Sequence, residues 1–140
     1  MRIALVACCG QKLGHPAPAA ELYTSPLFRK SVSYATTFDA WYILSAKYGL
    51  VLPTELIEPY DRTLLTMGKA DRLAWGRKVL DQITEAGIEE AEFTALAGAR
   101  YAEPLVRAGL RVDLPLKGLR IGEQLVWFTD RRPVAATKAP

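Results

Sequence analysis

One stretch of the chain, residues 44–61, concentrates side chains that could do chemistry. It holds two tyrosines, Tyr48 and Tyr60, and the carboxylates of Glu55 and Asp61. A tyrosine ring can stack on a nucleobase, and a carboxylate can polarise a water or stabilise a positively charged sugar in a transition state. The other interpretation, which the residue types alone favour slightly, is a structured loop whose aromatic rings cover the end of a sheet.

Two lysines and one cysteine are further candidates. Lys12 and Lys47 follow predicted strands and would attract an anion such as phosphate if they converged on one crevice, although two solvated lysines on loops are about as good an interpretation. Cys9 could be a nucleophile, but that role needs a base, and the one histidine, His15, lies six positions away in a loop. We therefore interpret Cys9 as a packing residue.

The motifs of several common enzyme classes are missing. The chain has no G-x-x-x-x-G-K-S/T loop, no G-x-S-x-G elbow and no dinucleotide fingerprint. One histidine and the adjacent pair Cys8 and Cys9 cannot form a four-ligand zinc site without several carboxylates. We expect neither a metal nor a cofactor.

These side chains must be positioned by an alternation of short apolar runs and helical patterns. The predicted strands are 3–8, 41–45, 93–97 and 110–115. The predicted helices are 26–38, 69–86, 99–108 and 121–129. Such alternation implies parallel pairing and right-handed crossovers, hence an α/β three-layer sandwich of about four parallel strands. The first strand is apolar on both faces, so we expect it in the interior of the sheet.

In a sheet of this kind, ligands bind beyond the carboxyl ends of the strands. The candidate substrate-binding residues follow the predicted strands: Cys9, Gly10, Lys12, Tyr23, Ser25, Ser45, Tyr48, Gly49, Tyr60, Gly98 and Tyr101. The candidate catalytic residues are Lys47, Glu55 and Asp61.

The segment from Pro115 to Leu125 is a candidate phosphate site. Glycines ahead of a helix let the backbone approach a ligand and leave amides free at the positive end of the helix. The candidate phosphate-binding residues are Lys117, Gly118, Arg120 and Gly122. A simple turn from the fourth strand into a packing helix is about as good an interpretation.

Composition predicts one soluble domain. The chain has 140 residues, half of them apolar, and we expect a single α/β domain over 1–130 followed by a basic, flexible tail over 131–140. No apolar run reaches the roughly 18 residues of a membrane span, and adjacent cysteines do not readily form a disulfide, so we expect a cytoplasmic protein without a membrane partner. The net charge of +3 does not by itself identify a nucleic-acid-binding protein. No feature of the sequence indicates an oligomeric state.

The 44–61 stretch, in one case together with residues 9–25, also resembles two known families. It is similar to the S-x-x-Y-G-x-x-x-P-x-x-x-I-x-P-Y signature of the YaaA-type peroxide-stress proteins, which are regarded as DNA-associated, at Ser45, Tyr48, Gly49, Leu50, Pro53, Ile57, Pro59 and Tyr60. Two segments resemble the archaeosine synthase core, at Cys9, Lys12, Tyr23, Ser25, Gly49, Pro53, Glu55, Leu56 and Tyr60.

A third resemblance spans nearly the whole chain. A family of short uncharacterised bacterial and phage proteins shares the motifs C-x-x-K, L-Y-x-S-P-L-F, L-S-A-K-x-G-L-V, P-Y-D and P-L-x-G-L-x-I-G-x-Q-L. These motifs match residues 9–12, 22–28, 44–51, 59–61 and 115–125.

The resemblances imply an architecture similar to uracil-DNA glycosylases and a function in handling nucleobases. We expect a nucleobase-recognising, glycosylase-like enzyme in which the base stacks on Tyr48 or Tyr60 and either Glu55 or Asp61 assists its departure. Flanking phosphates would be held by Lys12, Lys47 and Arg120. The alternatives are a non-catalytic DNA-binding or stress-response module and a transferase that acts on a modified base. The expected partner is nucleic acid, with DNA preferred, or a nucleobase-containing small molecule.

Overall fold

The first apolar run of the chain forms the central strand of a five-stranded sheet in the computed structural model, which describes residues 1–8 and 11–131. The strands are β1 (Arg2–Ala7), β2 (Ala17–Pro18), β3 (Ala40–Ser45), β4 (Gly49–Val51), β5 (Leu56–Ile57), β6 (Glu92–Leu96) and β7 (Val112–Asp113). The helices are α1 (Ala19–Leu22), α2 (Pro26–Ala35), α3 (Lys69–Glu85), α4 (Ala99–Arg107) and α5 (Ile121–Arg131).

The order of the main sheet is β4-β3-β1-β6-β7, and β1, β3, β6 and β7 are parallel. The four predicted parallel strands and the interior position of the first are confirmed. Residues 3–6 are fully buried, as expected for a strand covered on both faces. The prediction of a strand over 110–115 was too long, since β7 has two residues.

The helices form two pairs, because α2 packs on α5 and α3 packs on α4. Right-handed crossovers place the two pairs on opposite faces of the sheet. The start of α2 follows from local chemistry, since the Ser25 hydroxyl accepts a hydrogen bond from the Phe28 amide at 3.1 Å and Pro26 occupies the first turn. The α3–α4 contact depends on Gly76, because a side chain there would meet the Pro104 carbonyl.

The long stretch between Gly49 and Gly68 contains two short strands. Gly49 has a φ of +79°, and this left-handed turn returns the chain as β4, antiparallel to β3. The side chain of Gln82 fixes the turn by donating to the Tyr48 carbonyl at 3.0 Å and accepting from the Leu50 amide at 2.8 Å. Farther along, β5 pairs with β2 in a separate two-stranded sheet.

The last helix extends to Arg131, two residues beyond the predicted end at 129. The rest of the predicted tail, 132–140, and the candidates Cys9 and Gly10 lie outside the described residues. Within the described part of the chain, no helix has the length and apolarity needed to cross a membrane.

Candidate functional site

The carboxyl ends of β1 and β6 open into a cavity of about 450 Å³, here called the crevice. The chain leaves β1 towards α2 and leaves β6 towards α4, on opposite faces of the sheet, so the crevice lies at the topological switch point where open α/β sheets bind ligands. Its walls come from six parts of the chain: residues 7–8, Lys12, residues 25–31, residues 61–65, residues 96–101 and the first turn of α5. Its volume is within the range of small-molecule sites.

Cys8 and Tyr101 form one wall of the crevice. Both are buried, and the Cys8 Sγ lies 3.1 Å from the Tyr101 hydroxyl. Burial raises the pKa of Tyr101, and the charge and hydrogen bond of Cys8 raise it further, whereas hydrogen bonds with Thr63 and the Leu64 backbone lower it. The phenol of Tyr101 therefore stays neutral at ordinary pH.

A chain of three hydroxyls lies beside the crevice. The Tyr60 hydroxyl is 2.6 Å from the Tyr23 hydroxyl and 2.7 Å from the Ser45 Oγ. Burial is the largest cause that raises the pKa of Tyr60, followed by the charges of Cys8 and Tyr23, while the hydrogen bond with Ser45 lowers it. The Trp75 indole donates to the Ser45 carbonyl at 2.8 Å, so the same residue is also held by α3.

Cations contact the aromatic rings that we predicted as stacking platforms. The Lys12 Nζ lies 4.6 Å from the centroid of the Tyr60 ring, and the Lys47 Nζ lies 5.2 Å from that of Tyr48. The two tyrosine rings meet edge to face at 5.6 Å. A base that stacks on Tyr60 would have to share its ring with the Lys12 ammonium.

Lys12 and Lys47 do not line the same cavity. Lys12 lines the crevice, whereas Lys47 lines a second cleft of about 750 Å³ between residues 60–67 and α3. The two lysines therefore line different cavities. The physical reason is the intervening loop, because Asp61, Arg62 and Thr63 line both cavities and form the wall between them.

The two candidate carboxylates have different surroundings. Asp61 is exposed and lines both cavities. Glu55 is also exposed but lines neither, and it precedes β5, where its backbone carbonyl accepts from the Ala19 amide at 2.8 Å. Asp61 therefore lies at the crevice and Glu55 does not, although the sequence offered both carboxylates as equal candidates.

The other candidates fall into three groups. Ser25, Gly98 and Tyr101 line the crevice. Ser45 and Gly49 instead support the 44–61 stretch, Ser45 by accepting from the Tyr48 amide at 3.1 Å and Gly49 through its left-handed turn. The residues proposed for phosphate binding do not line the crevice: Lys117, Gly118, Arg120 and Gly122.

The first amide ahead of α5 already has an anionic partner. The Arg120 amide donates to the Glu123 Oε1 at 2.9 Å, so a carboxylate of the same chain caps this helix. The phosphate site at this segment stays a prediction, and any phosphate there would have to compete with Glu123.

Several polar residues of the crevice were not among the candidates, including Arg62, Thr63 and Gln124. Arg62 and Thr63 directly follow the P-Y-D motif, and Gln124 is the glutamine of the I-G-x-Q-L motif. The signal for Gln124 was therefore present in a motif, and Arg62 and Thr63 adjoin one. The strand-end rule could not find them, because they come from a long loop and from the last helix.

Comparisons with known proteins show the family. Residues 3–130 match the model of DUF6884, described as a family of unknown function. The uncharacterized protein YfjM of Bacillus subtilis (strain 168) is 31% identical over 113 residues, which cover 74% of each chain. No solved structure matches the chain.

Proposed function

We propose that this chain, which belongs to the DUF6884 family of unknown function, is a nucleobase-recognising enzyme of glycosylase-like type. The observation that carries the proposal is the crevice at the switch point between β1 and β6, with Asp61 on its wall. A volume of about 450 Å³ accommodates a base together with its sugar.

The walls of the crevice suit a flat, mainly apolar ligand. Ala7, Leu27, Phe28 and Leu96 contribute to a lining whose exposed surface is mainly apolar, and polar side chains stand among them. A base buries two apolar faces and keeps its hydrogen-bonding groups at its edges, so this combination of walls favours it over a strongly hydrated ligand.

Charged side chains near the crevice supply the remaining requirements. The Asp61 carboxylate would stabilise the positive charge that develops on the sugar as the bond to the base breaks, or would activate the attacking water. Arg62 and Arg100, both exposed and both lining the crevice, would contact phosphates on either side of the sugar.

The resemblances support the choice of ligand. The motifs shared with YaaA-type proteins and with the archaeosine synthase core, and the expected likeness to uracil-DNA glycosylases, all connect this chain with nucleobases in DNA or tRNA. The competing function is a non-catalytic DNA-binding module, and one observation favours it: only one of the two candidate carboxylates, Asp61, lines the crevice.

Base release from oligonucleotides separates the two functions. Single- and double-stranded DNA carrying one uracil, hypoxanthine or alkylated base each would be incubated with the protein, and abasic sites would be detected by alkaline cleavage. We expect Asp61→Asn to lower the rate of release at least about 100-fold while DNA binding remains.

Two further variants control this experiment. Glu90→Gln alters an exposed carboxylate ahead of β6, at the opposite end of the sheet, and should leave release unchanged. Glu55→Gln tests the other candidate carboxylate. Binding without release from any of the substrates would establish the non-catalytic module instead.

A further inference from the structure

Gln124 lies in the first turn of α5, lines the crevice and is only 7% exposed. Its backbone amide donates to the Arg120 carbonyl at 2.8 Å, and its side-chain Nε2 donates to the Leu119 carbonyl at 3.0 Å. A carbonyl oxygen can only accept, so the nitrogen of the carboxamide must face Leu119 and the orientation of the amide is fixed.

The carboxamide oxygen of Gln124 is left for a ligand. Among the described residues, no donor bonds to this oxygen, and no buried side-chain polar atom lacks a partner. The oxygen is therefore accessible, and the cavity that Gln124 lines is the crevice. A nearly buried glutamine thus offers one oriented acceptor to whatever occupies the site.

Backbone donors lie at the helix start next to this carboxamide. An added Cβ on Gly98 would lie 3.9 Å from the Gln124 Nε2, which places the carboxamide beside the start of α4. Gly98 is the N-cap of α4 and has no side chain to cap it. The amides of Ala99 and Arg100, which line the crevice, donate to no residue in the described part of the chain.

We infer that this corner of the crevice, formed by Gln124 and residues 98–100, binds the Watson–Crick edge of an unpaired base. The Gln124 oxygen accepts an N–H of the base, and the amides at the start of α4 donate to the acceptor next to it. Every common base carries such a neighbouring donor and acceptor on that edge. The inference rests on the proposed function and adds that the base must be free, single-stranded or flipped out of a duplex.

A simple anion is the other ligand that helix amides attract, and the carboxamide oxygen argues against it. The oxygen carries a partial negative charge and would repel a phosphate held by the Ala99 and Arg100 amides. A neutral base edge satisfies the acceptor and the donors together.

Calorimetric binding of matched nucleosides to the full chain tests the inference. The panel pairs thymidine with N3-methyl-2′-deoxyuridine, an isomer that carries its methyl on the Watson–Crick edge. It also pairs deoxyguanosine and deoxyinosine with their N1-methyl forms, and deoxyadenosine and deoxycytidine with forms dimethylated on the exocyclic amine. For each nucleoside that binds, we expect the analogue blocked on this edge to bind at least about 10-fold more weakly.

The same measurements on variants assign the effect to Gln124. Gln124→Leu keeps a similar side-chain size, and we expect about 10-fold weaker nucleoside binding and a smaller difference between the paired nucleosides. Thr129→Val is the control, because it removes the hydrogen bonds of an α5 hydroxyl with Leu125 and Lys30 but lies outside the crevice. The comparison of analogues on the unaltered protein stands even if Gln124→Leu folds poorly.

The possible failures differ in what they overturn. If blocked and unblocked nucleosides bind equally to the unaltered protein, the reading by Gln124 is wrong while base binding in the crevice stands. If inorganic phosphate displaces the nucleoside and Gln124→Leu changes neither affinity, the corner is an anion site and the inference is likewise wrong. If no nucleoside binds, both the inference and the proposed function are wrong.

Discussion

Replacing Tyr60 with phenylalanine removes one oxygen atom from the chain of hydroxyls beside the crevice. That oxygen is the only link between the hydroxyl of Tyr23 and the side chain of Ser45 that the described residues show. The substitution keeps the ring and its contact with Tyr48. It therefore tests whether the hydroxyl chain stabilises the protein or merely lines a cavity.

The expected loss follows from two hydrogen bonds. A neutral hydrogen bond contributes a net 0.5 to 1.5 kcal/mol, so losing both bonds of the Tyr60 hydroxyl should lower the free energy of unfolding by about 1 to 3 kcal/mol. Ser45 keeps the amide of Tyr48 as a donor, at 3.1 Å. This remaining partner favours the lower half of the range.

Urea denaturation followed by circular dichroism measures the effect, with Tyr34→Phe as the control. Tyr34 packs against Phe38 and Trp127, and its hydroxyl bonds to no described residue, so its removal should cost less than about 0.5 kcal/mol. A double-mutant cycle with Ser45→Ala isolates the bond between the two side chains. Equal stability of Tyr60→Phe and the unaltered protein would refute the argument.

Two further predictions concern alkaline pH and the turn into β4. Tyr60 and Tyr101 both have a pKa raised above the ordinary 10.0. Above this pH the unfolded chain therefore loses protons that the folded chain keeps, and the free energy of unfolding should fall as pH rises. The fall should reach up to about 1.4 kcal/mol per pH unit for each tyrosine. Denaturation at pH 9 to 11 checks this, and the slope should be shallower in Tyr60→Phe and in Tyr101→Phe; an identical slope in all three proteins would count against it. Gly49→Ala should cost about 1 to 3 kcal/mol, because φ is +79° and the new Cβ would overlap the Gln82 carboxamide. Thermal melts measure this cost. Gly14→Ala, where a Cβ meets nothing within 4 Å, should be nearly neutral in them, and equal costs at the two positions would contradict the prediction.

The arrangement of the main sheet could be predicted because its signals are local. Residues 3–6 are apolar without interruption, which only a strand covered on both faces tolerates, and this property alone placed β1 inside the sheet. The strand β4 could not be found in the same way. It has three residues and exists because Gly49 reverses the chain and Gln82, 32 positions after Leu50, holds the turn.

The candidate site could be predicted only in part, for a related reason. The rule that ligands bind beyond strand ends selected Lys12, Ser25, Gly98 and Tyr101, and these four line one crevice. It could not show that Asp61 reaches the crevice while Glu55 does not, since both lie in one long loop whose path depends on pairing between β2 and β5. Tertiary contacts of this kind leave no periodic signal.

The shortness of the outermost strands bears on how this molecule behaves at high concentration. An open sheet edge carries unpaired amides and carbonyls on which a strand of another molecule can grow. Here one edge is β4, with three residues, and the other is β7, with two. The long apolar strand β1 has a neighbour on each side, so the segment most prone to intermolecular β-pairing becomes available only after the sheet has opened. Resistance to aggregation should therefore follow the stability of the whole fold, and a variant that loosens the sheet should aggregate before it loses its helices.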